Sequence, residues 1–126
     1  MKVAALQMVS GSQLQANLDQ AQALLQQASQ AGAELAVLPE YFCLMGQRET
    51  DKLALAEAHG SGPIQDFLAA AARQYGLWVV GGTLPLQSPV PGRVANACLV
   101  FDPSGQPVAR YDKIHLFCYD NGRERY

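Results

Sequence analysis

Glu34-Leu35-Ala36-Val37-Leu38-Pro39-Glu40-Tyr41-Phe42 is the stretch from which the fold is read. Leu35 to Leu38 form a continuous apolar run too short for a helix, which suits a strand buried on both faces of a sheet. Pro39 ends it, because proline brings no N–H to the ladder. Glu40 then lies just past the strand's carboxyl end, where open α/β sheets bind their ligands. A carboxylate in that place is either a solvated loop side chain or a general base whose partial burial raises its pKa.

Working outward toward the N-terminus, Leu14, Leu18, Ala21, Leu25 and Ala28 recur at spacings of three and four, predicting a helix over residues 13–31. Ser10-Gly11-Ser12 supplies a turn and an N-cap, and Gly32 a stop. Residues 3–9 read as a strand. Toward the C-terminus, a short helix over residues 50–58 precedes the break at Gly60-Ser61-Gly62-Pro63. Pro63 opens a helix over residues 64–75, and Gly76 stops it. Residues 77–83 read as a second buried strand closed by Pro85, and residues 87–92, with two prolines, as a loop. Residues 94–101 and 108–115 read as strands joined by a hairpin turn at Asp102-Pro103-Ser104-Gly105. The order β-α-β-α-α-β-β-β predicts a single α/β domain over residues 1–126, a mixed sheet with helices packed on one face.

Composition supports this and narrows the function. At 49% apolar and 16% charged, the chain can fill a core. A formal net charge of -2 argues against a nucleic-acid partner, which would leave a basic footprint. No apolar run reaches the roughly 20 residues of a membrane span. The N-terminus lacks the long apolar region and cleavage site of a secretory signal, so a cytoplasmic protein is expected. Cys43, Cys98 and Cys118 show no C-x-x-C spacing, and His59 and His115 have no cysteine at ligand spacing. Neither a disulfide framework nor a metal site is expected, and the cysteines read as reduced, mainly packing residues.

Two further places carry chemistry. In Tyr111-Asp112-Lys113-Ile114-His115-Leu116-Phe117, strand alternation puts Tyr111, Lys113 and His115 on one face and Asp112 and Ile114 on the other. Lys113 either snorkels from a strand edge or aims its ammonium into a cleft, where it can stabilise an oxyanion. His115 reads as a structural hydrogen-bonder rather than a base. Gly81-Gly82, at a strand end, permits close backbone approach, and no phosphate-loop spacing surrounds it.

Taken in order, Val3-Ala4-Ala5-Leu6-Gln7-Met8, Ala36-Val37-Leu38-Pro39-Glu40-Tyr41-Phe42, Val79-Val80-Gly81-Gly82-Thr83, residues 96–102 and the Lys113 segment resemble the nitrilase superfamily, the carbon–nitrogen hydrolases. Lys113-Ile114-His115-Leu116-Phe117 looks most like the omega-amidase and deaminated-glutathione-amidase branch. The resemblance implies a longer αββα sandwich of which this chain is the N-terminal half. It implies an amidase acting on small carboxamides, with no cofactor and no metal, and members that pair as homo-oligomers. It matches Glu40 to the general base and Lys113 to the oxyanion-stabilising lysine. The family's nucleophilic cysteine follows a further strand, beyond Tyr126. Tyr126 resembles the aromatic residue that precedes the family's second glutamate, and Glu124 is not assigned that role. Neither Cys43 nor Cys118 sits in the strand-to-helix elbow of the family's nucleophile. Lys113 should lower the pKa of Glu40 while burial raises it. The alternative is a catalytically inactive stand-alone domain that binds a ligand or partner. Half a sandwich should also leave an open sheet edge and an uncovered apolar face.

Overall fold

The computed structural model describes residues 1–48 and 50–114. The elements run β1 (Val3–Ala5), α1 (Leu14–Gln30), β2 (Leu35–Val37), α2 (Thr50–Leu55), α3 (Pro63–Tyr75), β3 (Trp78–Val80), β4 (Leu84–Gln87), β5 (Val94–Phe101) and β6 (Pro107–Asp112). β1, β2 and β3 are parallel neighbours, and β5 runs antiparallel to β3, β4 and β6. This is the mixed α/β sheet that the sequence predicts.

β3 and β4 pair along the same side of β5, with Val80 opposite Val100 and Leu84 opposite Ala97. Between them Gly81 N–H still donates to Leu99 O at 2.8 Å. The two strands are thus one bent strand, kinked at Gly81-Gly82-Thr83. The sequence reading closed this strand at Pro85, whereas Pro85 lies inside β4, opposite Asn96. Its carbonyl accepts from Glu57 N–H at 3.2 Å, on the side away from β5. The N and O of a strand residue point the same way, so β5 asks no donor of Pro85.

The core follows from alternation. Ala36, Val79, Ala97, Leu99 and Phe101 face Leu18, Ala21 and Leu25 of α1 and Ile64, Leu68 and Ala72 of α3. All the helical packing lies on this face. The other face carries Val3, Leu35, Val37, Trp78, Val80 and Tyr111, and Val3 (55%), Trp78 (38%) and Tyr111 (60%) stay well exposed. The expectation of strands buried on both faces is corrected to one face among the described residues. An uncovered apolar face was the other expectation, and it is present.

Local details differ at the helix starts. Ser10-Gly11-Ser12 does not cap α1, whose N-cap is Gln13 without a side-chain bond. Ser10 Oγ donates instead to Phe42 O at 2.9 Å, tying the chain before α1 to the loop after β2. At α3, Pro63 takes the first turn as expected, and Gly76 is the left-handed C-cap. The buried Glu57 carboxylate accepts from the N–H groups of Ile64 (2.7 Å) and Gln65 (3.1 Å), two donors that the helix cannot satisfy itself. The hairpin turn forms as read, with Asp102 Oδ1 accepting from the N–H groups of Ser104 and Gln106. β6 ends at Asp112, although Lys113 N–H continues the ladder to Asn96 O at 2.9 Å. His115, Cys118, Glu124 and Tyr126 lie outside the described residues.

Candidate active site

Glu40 belongs to a loop whose path is set by the β3–β4 kink. After β2 the chain crosses Gly82, which has φ +56°. A Cβ on Gly82 would fall onto the Pro39 carbonyl and lie 2.9 Å from Leu38 O. Only glycine admits both the backbone angle and the crossing chain. Tyr41 is the one non-glycine residue with positive φ (48°) among those described, a backbone state that needs support from its surroundings. Thr83 Oγ1 gives that support, accepting from Tyr41 N–H at 2.8 Å. Lys52 lies 4.0 Å from the centre of the Tyr41 ring, within cation–π range. Beyond Tyr41 the chain dives inward. Phe42, Cys43 and Leu44 are buried, and Asn17 of α1 donates from Nδ2 to Cys43 O at 2.8 Å.

The crossing delivers the Glu40 carboxylate to the far side of the sheet. Lys113 Nζ donates to Glu40 Oε1 at 2.8 Å, and Asn96 Nδ2 donates to the same oxygen at 3.1 Å. Glu40 and Lys113, the two residues singled out in the sequence, are therefore joined across β3/β4, β5 and the end of β6. Around them lies an open cleft of about 360 Å³ that includes Thr83, Asn96, Cys98 and Tyr111. Tyr111 and Lys113 line it together, as alternation requires. Asp112 faces the other way and pairs with Arg110 at 2.7 Å.

The electrostatics resolve the contest over Glu40. Its pKa is lowered from 4.5, chiefly by the Lys113 hydrogen bond, against a smaller opposing effect of burial. Asn96 and the charges of Lys113 and Lys52 add to the lowering. The balance between Lys113 and burial, left open by the sequence, falls to Lys113: the side chain is 53% exposed, so burial penalises its charge little. Such an open pair is worth at most about 1 kcal/mol of stability. Burial pushes Cys43 up to about 12 and also raises Cys98. Neither thiol has an activating partner among the described residues.

Asn96 was not singled out for chemistry in the sequence. Its signal was there: it is a carboxamide inside Val94-Ala95-Asn96-Ala97-Cys98-Leu99-Val100-Phe101, an otherwise apolar strand. Its Oδ1 is buried without a partner among the described residues. Gly82, read as a close-approach glycine, has that role for a stated reason, since the loop that carries Glu40 runs over it.

A mixed sheet with helices on one face and a carboxylate–lysine pair over a cleft on the other describes an α/β protein with a polar candidate site. Residues 2–126 match the carbon–nitrogen hydrolase family, and the chain belongs to that family. It is 36% identical over 119 residues to the deaminated glutathione amidase of Yersinia enterocolitica, covering 94% of this chain and 41% of that protein. It is 32% identical over 104 residues to an omega-amidase of Xenopus laevis, covering 82% of this chain and 36% of that one. Among solved structures it resembles an amidase from Nesterenkonia sp. AN1, with a TM-score of 0.78 at 27% identity, covering 93% of this chain and 45% of that one. The chain thus spans about two fifths of the length of these relatives. They include the amidase branch that the Lys113 segment suggests.

Proposed function

We propose that the protein carrying this chain hydrolyses a small carboxamide in the cytoplasm, as a homo-oligomer, with Glu40 as general base and Lys113 as oxyanion stabiliser. The observation that supports it most is the convergence of both residues, 73 positions apart in sequence, at 2.8 Å over an open cleft. The nucleophile is a cysteine supplied by the part of the protein beyond this chain. The Nesterenkonia amidase is described with acrylamide added to its active-site cysteine, which favours a thiol here too. No metal or cofactor takes part in this mechanism.

A free thiol has a pKa near 8.5 and is mostly protonated at neutral pH. Glu40, held ionised, takes its proton as the sulfur attacks the carbonyl carbon. The carbonyl oxygen gains the negative charge. Lys113 carries three donors, so it can hold Glu40 and the oxyanion together. One such donor is typically worth about 3–4 kcal/mol in the transition state. Collapse expels the amine with the proton that Glu40 took up, leaving a thioester. Water, deprotonated by Glu40, then releases the acid.

The test uses the full-length protein with deaminated glutathione and ω-amides of dicarboxylic acids. Turnover is expected in the parent protein, with loss of most of it in Glu40→Gln and Lys113→Ala while the fold is kept. Near-parental rates in either variant would remove the role given to that residue. The isolated 126-residue chain should turn over neither substrate.

A further inference from the structure

We propose that Asn96 is a positioning residue, a reading that rests on Glu40 being the base: its carboxamide fixes the carboxylate so that Oε1 is held and Oε2 is the atom that takes the proton. Register supports this. Lys113 N–H donates to Asn96 O at 2.9 Å, so the two residues are cross-strand neighbours on β5 and the continuation of β6. Their side chains rise from one rung of the ladder and end on one oxygen, at 3.1 and 2.8 Å. Two donors on Oε1 fix the carboxylate against rotation about its last bond. Oε2 has no hydrogen-bond partner among the described residues, and the side chain opens to the cleft.

The residue type is chosen by the same geometry. Nδ2 is a donor only, so the orientation of the amide is settled by the carboxylate it faces. Aspartate in this place would set a second negative charge against Glu40. Leucine has nearly the same shape and offers no donor. Asn96 is 4% exposed, and its Oδ1 is buried without a partner among the described residues. Removing both polar atoms at once therefore relieves one unsatisfied group as it breaks one bond, and stability should change little. A side chain kept for folding would be a better-satisfied one.

The test is to follow the Glu40 carboxyl by 13C NMR titration in the full-length protein, in Asn96→Leu and in Asn96→Asp. The other groups acting on this carboxylate are Lys113 at the end of β6 and Lys52 on α2. Both stay in place, so any change is due to position 96. Glu40 should titrate at higher pH in Asn96→Leu and higher still in Asn96→Asp, with the melting temperature of Asn96→Leu kept or raised. The isosteric Asn96→Asp keeps the test decisive where leucine disturbs the fold. On the amide substrates, kcat should fall roughly tenfold, less than the roughly 10²–10⁴-fold that a positioned base supplies in full. KM should change little, and the acid limb of the pH profile should move up. An unchanged Glu40 titration in both variants overturns the proposal. Absence of amidase turnover in the parent protein would instead sink the proposed function, and the titration would still decide what Asn96 does.

Discussion

Gly82→Ala tests the claim that the β3–β4 kink exists to let the Glu40 loop cross. Two costs add at this position. Alanine at φ +56° bears the left-handed penalty of about 1–2 kcal/mol. Its methyl would also occupy the place of the Pro39 carbonyl, and forcing extra atoms into a packed site costs about 1–3 kcal/mol. The sum is about 2–5 kcal/mol, a large fraction of the roughly 5–15 kcal/mol by which domains are stable. Gly92→Ala is the control: its φ is +75°, but nothing lies within 4 Å of a Cβ there. It should lose only the backbone part. The assay is urea unfolding followed by the fluorescence of Trp78, the single tryptophan, four positions from the substitution. Gly82→Ala should shift the midpoint well beyond Gly92→Ala at similar slope. Glu40 should also titrate nearer its ordinary value, since a displaced Pro39 carries the carboxylate away from Lys113. Equal destabilisation by the two alanines would refute the crossing as the reason for glycine.

Other outcomes follow from the same contacts. Glu57→Ala leaves the N–H groups of Ile64 and Gln65 without acceptors at the start of α3, and should cost about 1–3 kcal/mol in the same urea assay; a loss below about 0.5 kcal/mol would deny the carboxylate that capping role. Cys43, buried and with its pKa pushed up to about 12, should resist iodoacetamide at pH 8 in the folded protein while Cys98 at the cleft is alkylated, as read by peptide mass mapping; equal labelling would contradict the placement of Cys43. The Glu40–Lys113 pair should make stability depend on pH only in acid. A lowered carboxylate pKa means that the contribution is complete above 4.5 and is lost as pH falls through the depressed folded value. Stability curves of the parent protein and Glu40→Gln should therefore run parallel above that pH and converge below it; divergence between pH 6 and 8 would show that another group is responsible.

Much of this was legible because it rests on period and punctuation. The apolar spacing of Leu14, Leu18, Ala21, Leu25 and Ala28 gave α1, and the turn chemistry of Asp102 to Gly105 gave the β5–β6 hairpin. Glu40 and Lys113, which meet at 2.8 Å, were singled out because each follows or ends a strand where a side chain can enter a cleft. What failed was non-local. Ser10 looked like a helix cap, yet its hydroxyl bonds Phe42, 32 positions away. Pro85 looked like a strand end, because sequence does not show that its backbone nitrogen and carbonyl face Glu57 rather than β5. The apolar runs of β2 and β3 were read as buried twice over, but an apolar side chain records what it can bury, not whether a second layer is in place. The balance at Glu40 was open for a similar reason, since it depends on a distance and an exposure that no spacing encodes.

The two faces of the sheet divide the work, and this explains why the site tolerates its own poor packing. On β5, Ala97, Leu99 and Phe101 point to the helices and are buried, while Asn96 and Cys98 point to the cleft. Core substitutions such as Leu99→Ala, worth about 2–5 kcal/mol, remove atoms from the face opposite Glu40. Site substitutions remove atoms from a face where little apolar area is yet buried. Among the described residues, two features connect the faces. One is Gly81, where a Cβ would meet Leu68 of α3 at 2.9 Å and Leu99 O at 3.0 Å. The other is the loop after β2, whose Phe42 and Cys43 are in the core while Glu40 is over the cleft. The carboxylate is therefore positioned by the core without being buried in it. It keeps its charge because Lys113 donates to it and burial is slight, and it keeps its place because Tyr41, two residues from Pro39, is pinned to Thr83 on the bent strand.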